Sequence, residues 1–154
     1  MVLLGNLIWF VFLGGFVLWL GWVVAGCLMY LTIVGIPFGV ACFRFAGVAA
    51  FPFGKEVVDA RWLGESRVPG TTIANVIWFV VAGVWLTLGH LAAALLCMAS
   101  CLLVLPIFLG APAWALANLR LATVALAPLG KRVVTSSQAA AARGARQRAI
   151  AAMN

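Results

Sequence analysis

Residues 1–43 carry no charged side chain, and neither do residues 68–119, a stretch in which His90 is the one histidine. A spanning helix takes about 20 apolar residues, so each run is long enough for two crossings and too long for one. Lipid offers no hydrogen bonds, so backbone at that depth must be helical or closed into a barrel. The runs are continuously apolar and do not alternate as barrel strands do. The expected fold class is therefore all-α integral membrane, with about four transmembrane helices. Composition agrees, at 66% hydrophobic, 8% charged and a mean hydropathy of +1.19, far from the balance of a water-soluble domain.

Val24-Ala25-Gly26-Cys27 has the small residues of a lipoprotein cleavage site, but Met1 to Asn6 has no charge and the apolar run continues past Cys27 to Phe53. A signal peptide wants a basic start and a polar mature chain, so the segment reads as membrane structure. Cys27, Cys42, Cys97 and Cys101 all lie in apolar segments and read as small packing residues. Cys97 and Cys101 are one helical turn apart, yet no histidine or carboxylate stands beside them to complete a metal site.

Written against itself, the chain shows an internal repeat. Asn6-Leu7-Ile8-Trp9-Phe10-Val11 recurs as Asn75-Val76-Ile77-Trp78-Phe79-Val80, and Gly14 meets Gly83 at the same offset. After a short insertion, Ala50-Phe51-Pro52-Phe53-Gly54-Lys55 answers to Leu126-Ala127-Pro128-Leu129-Gly130-Lys131, Val57-Val58 to Val133-Val134, and Arg44 to Arg120. The expected organisation is a first membrane hairpin at residues 1–54, a cytoplasmic connector at 55–72, a second hairpin at 73–130 and a basic cytoplasmic tail at 131–154.

The spans fall at about residues 3–24, 27–51, 73–92 and 95–127, which puts Gly26 and Gly89-His90 near the far turns. Gly35, Pro37 and Gly39 in the first half, and Pro106, Gly110 and Pro112 in the second, then interrupt the second helix of each hairpin. Proline removes a backbone donor and clashes with the preceding turn, so both helices are expected to kink or break there. Gly35-x-x-x-Gly39 is equally a close-packing motif.

Hairpins return the chain to its starting side, so the N-terminus, connector and tail share one face and the halves run parallel. Lys55, Arg61 and Arg67 in the connector and Lys131, Arg132, Arg143, Arg146 and Arg148 in the tail mark that face as cytoplasmic, because the far turns have no basic residue. The connector also holds all three acids, Glu56, Asp59 and Glu65, and reads as a solvated loop or short interfacial helix, or as a docking surface for an unidentified protein partner. The tail reads as a basic helix against anionic lipid headgroups. Topology accounts for these cations, so nucleic acid is not an expected partner.

The order of Asn-x-x-Trp, Gly35-Ile36-Pro37-Phe38-Gly39, an arginine seven residues beyond Pro37, and Pro52-Phe53-Gly54-Lys55-x-Val57-Val58 resembles the YccF-like family of bacterial inner-membrane proteins, across residues 6–58 and 75–134. The resemblance implies an inner-membrane location and a duplicated fold, and no activity. The second half departs from it, with Leu105-Pro106 and Ala111-Pro112 in place of a second Gly-Ile-Pro, and leaves open which proline answers to Pro37. Asn118-Leu119-Arg120 fits as the counterpart of Cys42-Phe43-Arg44.

An enzyme gathers titratable groups at one site, and one histidine with three carboxylates outside the bilayer does not make one. No catalytic activity, cofactor or metal is expected. His90 reads as an interfacial or packed histidine. Asn6 with Trp9 and Asn75 with Trp78 read as helix caps and interfacial anchors. Matched Gly/Pro breaks point to a substrate or ion path, and Arg44 and Arg120, which either snorkel to the headgroups or line that path, would favour anions. The first expectation is an oligomeric channel or transporter subunit, since four helices enclose little space and a pore needs several copies. Its rival is a non-conducting scaffold or regulatory subunit that presents connector and tail to partners.

Overall fold

A computed structural model describes residues 2–66, 68–103 and 111–153, with the side chains of residues 100–103 and 111 outside the description. The chain is mostly helical, in the order α1 (Val2–Phe12), α2 (Gly15–Tyr30), α3 (Ile36–Ala50), β1 (Lys55–Asp59), α4 (Thr71–Trp78), α5 (Val84–Leu103), α6 (Ala111–Leu126), β2 (Lys131–Thr135) and α7 (Ser136–Ala151). A 3-10 turn at Ala60–Leu63 follows β1, and a π-helical turn at Phe79–Gly83 joins α4 to α5.

Each half pairs two helices tightly. α2 lies along α3, and α5 lies along α6. Gly39 of α3 faces Gly26 of α2, where an added Cβ would stand 3.2 Å from the Gly26 carbonyl oxygen, so the close-packing reading of Gly39 describes its contact. The first half's turn spans residues 31–35. Gly35 is needed there because a Cβ would collide with the Met29 carbonyl and the Thr32 hydroxyl.

These turns correct the expected helix limits. Gly26 lies inside α2, and Gly89-His90 lies inside α5. Pro37 does not interrupt a helix: it sits in the first turn of α3, where a backbone N–H has no helical acceptor to lose. Pro112 is likewise the second residue of α6. Pro106 and Gly110 fall outside the described residues, as does Arg67.

The irregularities lie instead in the first helix of each half. α1 and α2 meet at 76° across Leu13 and Gly14, and Gly14 takes a positive φ of 92° that suits glycine. In the second half the helix stays continuous and absorbs the irregularity as the π turn that ends at Gly83. The run Thr71–Ala99 is the one helix among the described residues long and apolar enough to cross a membrane, and α1 with α2 makes a second if the bent pair is one span. Helix length and apolarity alone thus give one or two crossings where four were expected.

The connector and tail also depart from expectation. β1 and β2 form an antiparallel two-stranded ribbon, with Val57 opposite Val133 and Lys55 opposite Thr135. Valine pairs suit a half-buried pleated surface, and Val58 is buried. α7 docks on the ribbon and the 3-10 turn through buried Ala139 and Ala142, starting from a capping box between Thr135 and Gln138. The N-terminus lies at the same end, because Asn6 and the Phe53 backbone are bonded and Gly54 lies beside Val2.

Two buried clusters hold the body together. The larger joins both halves through Trp22, Phe38, Cys42, Phe45, Trp78, Leu121 and Ala125. Trp78 stacks between Phe38, with ring centres 5.5 Å apart, and Trp22, at 6.4 Å. The smaller gathers Trp9, Ala93, Ala94, Cys97, Trp114 and Ala115. Cys27 is exposed, and Cys101's side chain lies outside the described residues. A belt of exposed Leu, Val, Ile and Phe surrounds these clusters, as lipid contact requires.

Candidate functional site

Asn6 and Trp9 do not cap a helix or stand at a surface. Both are buried within α1, where the Asn6 side-chain amide donates to the Phe53 carbonyl at 3.2 Å and its oxygen accepts from the Phe53 N–H at 2.9 Å. The Trp9 indole donates to the Ala49 carbonyl at 2.7 Å. Asn75 and Trp78 make the same bonds in the second half, with Leu129 at 3.2 and 3.0 Å and with Ala125 at 2.7 Å. The tryptophan bonds use carbonyls freed in the last turns of α3 and α6, which otherwise face a low-dielectric interior unpaired, and the asparagines hold the chain just beyond those helices.

Between the halves runs a buried polar chain that the sequence reading did not assemble. The Trp22 indole donates to His90 Nε2 at 2.8 Å, and His90 Nδ1 lies 2.9 Å from Asn118 Oδ1. The Asn118 amide donates to the Trp114 carbonyl at 2.9 Å. An indole N–H can only donate, so Nε2 accepts, the ring proton is on Nδ1, and that proton is given to Asn118. His90 and Asn118 are at most 1% exposed. Only half of the signal was present in the sequence: His90 is the one histidine of its charge-free run, but Asn75 and Asn118 both stand in that run, and residue type alone does not say which of them it meets.

At the ribbon end lies a cavity of about 490 Å³ between α3, the connector and the start of β2. Its apolar wall is Pro37, Val40, Ala41 and Phe45 of α3, and its polar end holds Arg44, Asp59, Arg61, Glu65, Lys131 and Arg132. Arg61 pairs with Asp59 at 2.8 Å. Arg132 embraces Glu65 through two bonds of 2.8 and 2.6 Å. Neither Arg44 nor Lys131 makes an ion pair among the described residues. Arg61, hydrogen-bonded to Asp59, holds that carboxyl below the usual carboxylate range, with a smaller contribution from Lys131.

Arg120, the counterpart of Arg44, meets a different environment. Its charge acts on Glu56 of β1, whose carboxyl is held below its ordinary range chiefly by the hydrogen bond from Arg143. Arg143 reaches Glu56 at 2.6 Å and Arg146 lies 5.0 Å over the Trp62 ring, so the tail's basic residues at these two positions turn inward to the ribbon. Arg44 and Arg120 are both exposed, on α3 and α6. No group of three or more metal-ligating side chains occurs among the described residues.

The profile of the YccF family, described as an inner membrane component domain, matches residues 4–55 and again residues 73–131. The chain is 32% identical to the inner membrane protein YccF of Escherichia coli (strain K12) over 148 residues, 93% of this chain and 94% of that one. The protein of the same name from Shigella flexneri matches to the same extent. No solved structure matches. By the doubled family match and the end-to-end likeness, this chain belongs to the YccF family of bacterial inner-membrane proteins.

Proposed function

We propose that the chain crosses the inner membrane as two tandem hairpins in four passes, with both termini and the connector in the cytoplasm, and serves as a non-conducting membrane scaffold. The observation that carries this reading is the ribbon: the segment after the first hairpin and the segment after the second form one folded head, with Val57 opposite Val133. Those two valines correspond in the internal repeat, so the strand pair has local two-fold symmetry, which fits halves related by an axis along the membrane normal. The head then presents α7 and the 3-10 turn to a cytoplasmic protein partner. The space between the halves is filled by Trp22, Phe38, Phe45, Trp78 and His90, each at most 6% exposed, which argues against a path through one copy. With its one histidine in a closed chain of bonds and its acids paired to arginines, the molecule reads as a non-enzyme.

A second reading keeps one observation. Arg44 and Arg120 are exposed on α3 and α6, so several copies around an axis could line an anion-favouring pore with them. Ion flux separates the two. Liposomes holding the purified protein should pass chloride and potassium no faster than empty liposomes. A selective flux that changes in the Arg44→Ala, Arg120→Ala double variant would overturn the scaffold reading.

A further inference from the structure

We propose that the cavity between α3, the connector and β2 binds one anionic phospholipid, with the phosphate at Arg44 and Lys131 and an acyl chain along Pro37 and Val40. The charges point to an anion. The cavity's polar end holds four cations, Arg44, Arg61, Lys131 and Arg132, and two carboxylates, Asp59 and Glu65. Two of the cations are committed to those carboxylates by short ion pairs. Arg44 and Lys131 make no ion pair among the described residues, although Lys131 faces Asp59 across the ribbon and its charge acts on it, and two positive charges on one concave surface are stabilised by a phosphate between them.

The shape points to a lipid. A free anion needs only the polar end, whereas this cavity continues onto an apolar wall of α3, and its volume is in the range that encloses a small ligand. Arg44 stands at the junction of the two surfaces, two turns into α3 from Pro37. A headgroup phosphate at that junction has its glycerol ester and chain beside Val40 and Pro37. On the opposite side of the ribbon the position matching Arg132 is Glu56, whose two carboxylate oxygens both accept from Arg143 of α7, while Arg120 acts on it only through its charge.

The inference rests on the ribbon end lying at the headgroup layer, and is independent of whether the protein conducts. Purified full-length protein in detergent, titrated with phosphatidylglycerol, phosphatidylcholine or inorganic phosphate and examined by native mass spectrometry, tests it without regard to membrane sidedness. One retained phosphatidylglycerol per chain is expected, with phosphatidylcholine bound about tenfold or more weakly. The Arg44→Gln, Lys131→Gln double variant should lose about the same factor, while Arg120→Gln retains the lipid. Val40→Trp, which fills the apolar wall without touching a charge, should also lose it, and unfolding temperatures near wild type show that the variants fold. Equal retention of both lipids, wild-type retention by the double variant or by Val40→Trp, displacement of the lipid by inorganic phosphate, or a second protein copy in its place would each overturn the proposal.

Discussion

The two halves solve the same problem with the same side chains and different backbones. Each anchors an asparagine to the chain just after its second helix, and each drives a tryptophan indole onto a carbonyl near that helix's end. Yet the first half breaks between α1 and α2 at 76°, whereas the second remains one helix with a π turn. The glycines explain how both work. Trp9 lies so close to Gly15 that a Cβ there would stand 2.6 Å from its indole nitrogen, and Trp78 lies against Gly83, where the nearest approach is 3.0 Å, to the Ala125 carbonyl oxygen. A buried donor in a low-dielectric interior must be satisfied almost at any backbone expense, so the hydrogen bond is kept and the helix adjusts around it.

The largest expected effect comes from removing the tryptophans. Trp78→Ala should destabilise by about 3–5 kcal/mol in detergent unfolding, because it opens a void between Trp22 and Phe38 and orphans the Ala125 carbonyl. Trp9→Ala should fall at the lower end of that range, since its cluster is the smaller. A much larger loss for Trp9 would mean that the first half holds the fold and the second follows.

The glycines come next and should separate the halves. Gly15→Ala forces a Cβ into the Trp9 ring and should cost about 1–3 kcal/mol. Gly83→Ala meets its neighbours at 3.0–3.2 Å and gains helix propensity, so it should cost less than about 1 kcal/mol. Thermal unfolding of both variants checks the order, and a reversal would show that the π turn is the more constrained of the two solutions.

Asn6→Ala and Asn75→Ala should then weaken the fold by similar amounts, about 1–2 kcal/mol each, since each loses two bonds to backbone that the membrane interior rewards modestly. Unequal losses would show that the paired clamps are alike only in geometry.

The smallest effect belongs to the head. Glu56 and Asp59 are held below their ordinary range by Arg143 and Arg61, so their folded pKa values lie below the unfolded ones. Such groups stabilise the head above the ordinary carboxylate range, and that stabilisation is lost as pH falls through the depressed folded values. Hydrogen exchange of the β2 amides should therefore quicken on acidification below about pH 4, modestly, because the ion pairs are open to water. Glu56→Gln should remove most of Glu56's share of that pH response.

Much of this was legible in the sequence because it depends on residue type at a position. The charge-free runs, the paired Asn-x-x-Trp motifs and the placement of the cations require no partner to be read. What was not legible depends on partners. Val57-Val58 and Val133-Val134 were visible as a repeat, yet nothing local says that two five-residue segments so far apart in the chain pair with one another. Pro37 and Pro112 were visible as interruptions, but a proline in a helix's first turn and one in its middle look alike until the turn is located. His90 and Asn118 were each visible alone, and only the packing of α5 on α6 brings them to 2.9 Å.

The central claim is that connector and tail form one head on the cytoplasmic side. It is tested most directly by Val57→Cys and Val133→Cys together, with the native cysteines replaced, in intact cells and in inside-out vesicles. Facing residues of an antiparallel pair are close enough for a disulfide, so mild oxidation should link them. The reduced thiols should react with a membrane-impermeant reagent only in the inverted vesicles. Failure to cross-link, or labelling from outside intact cells, would contradict the account.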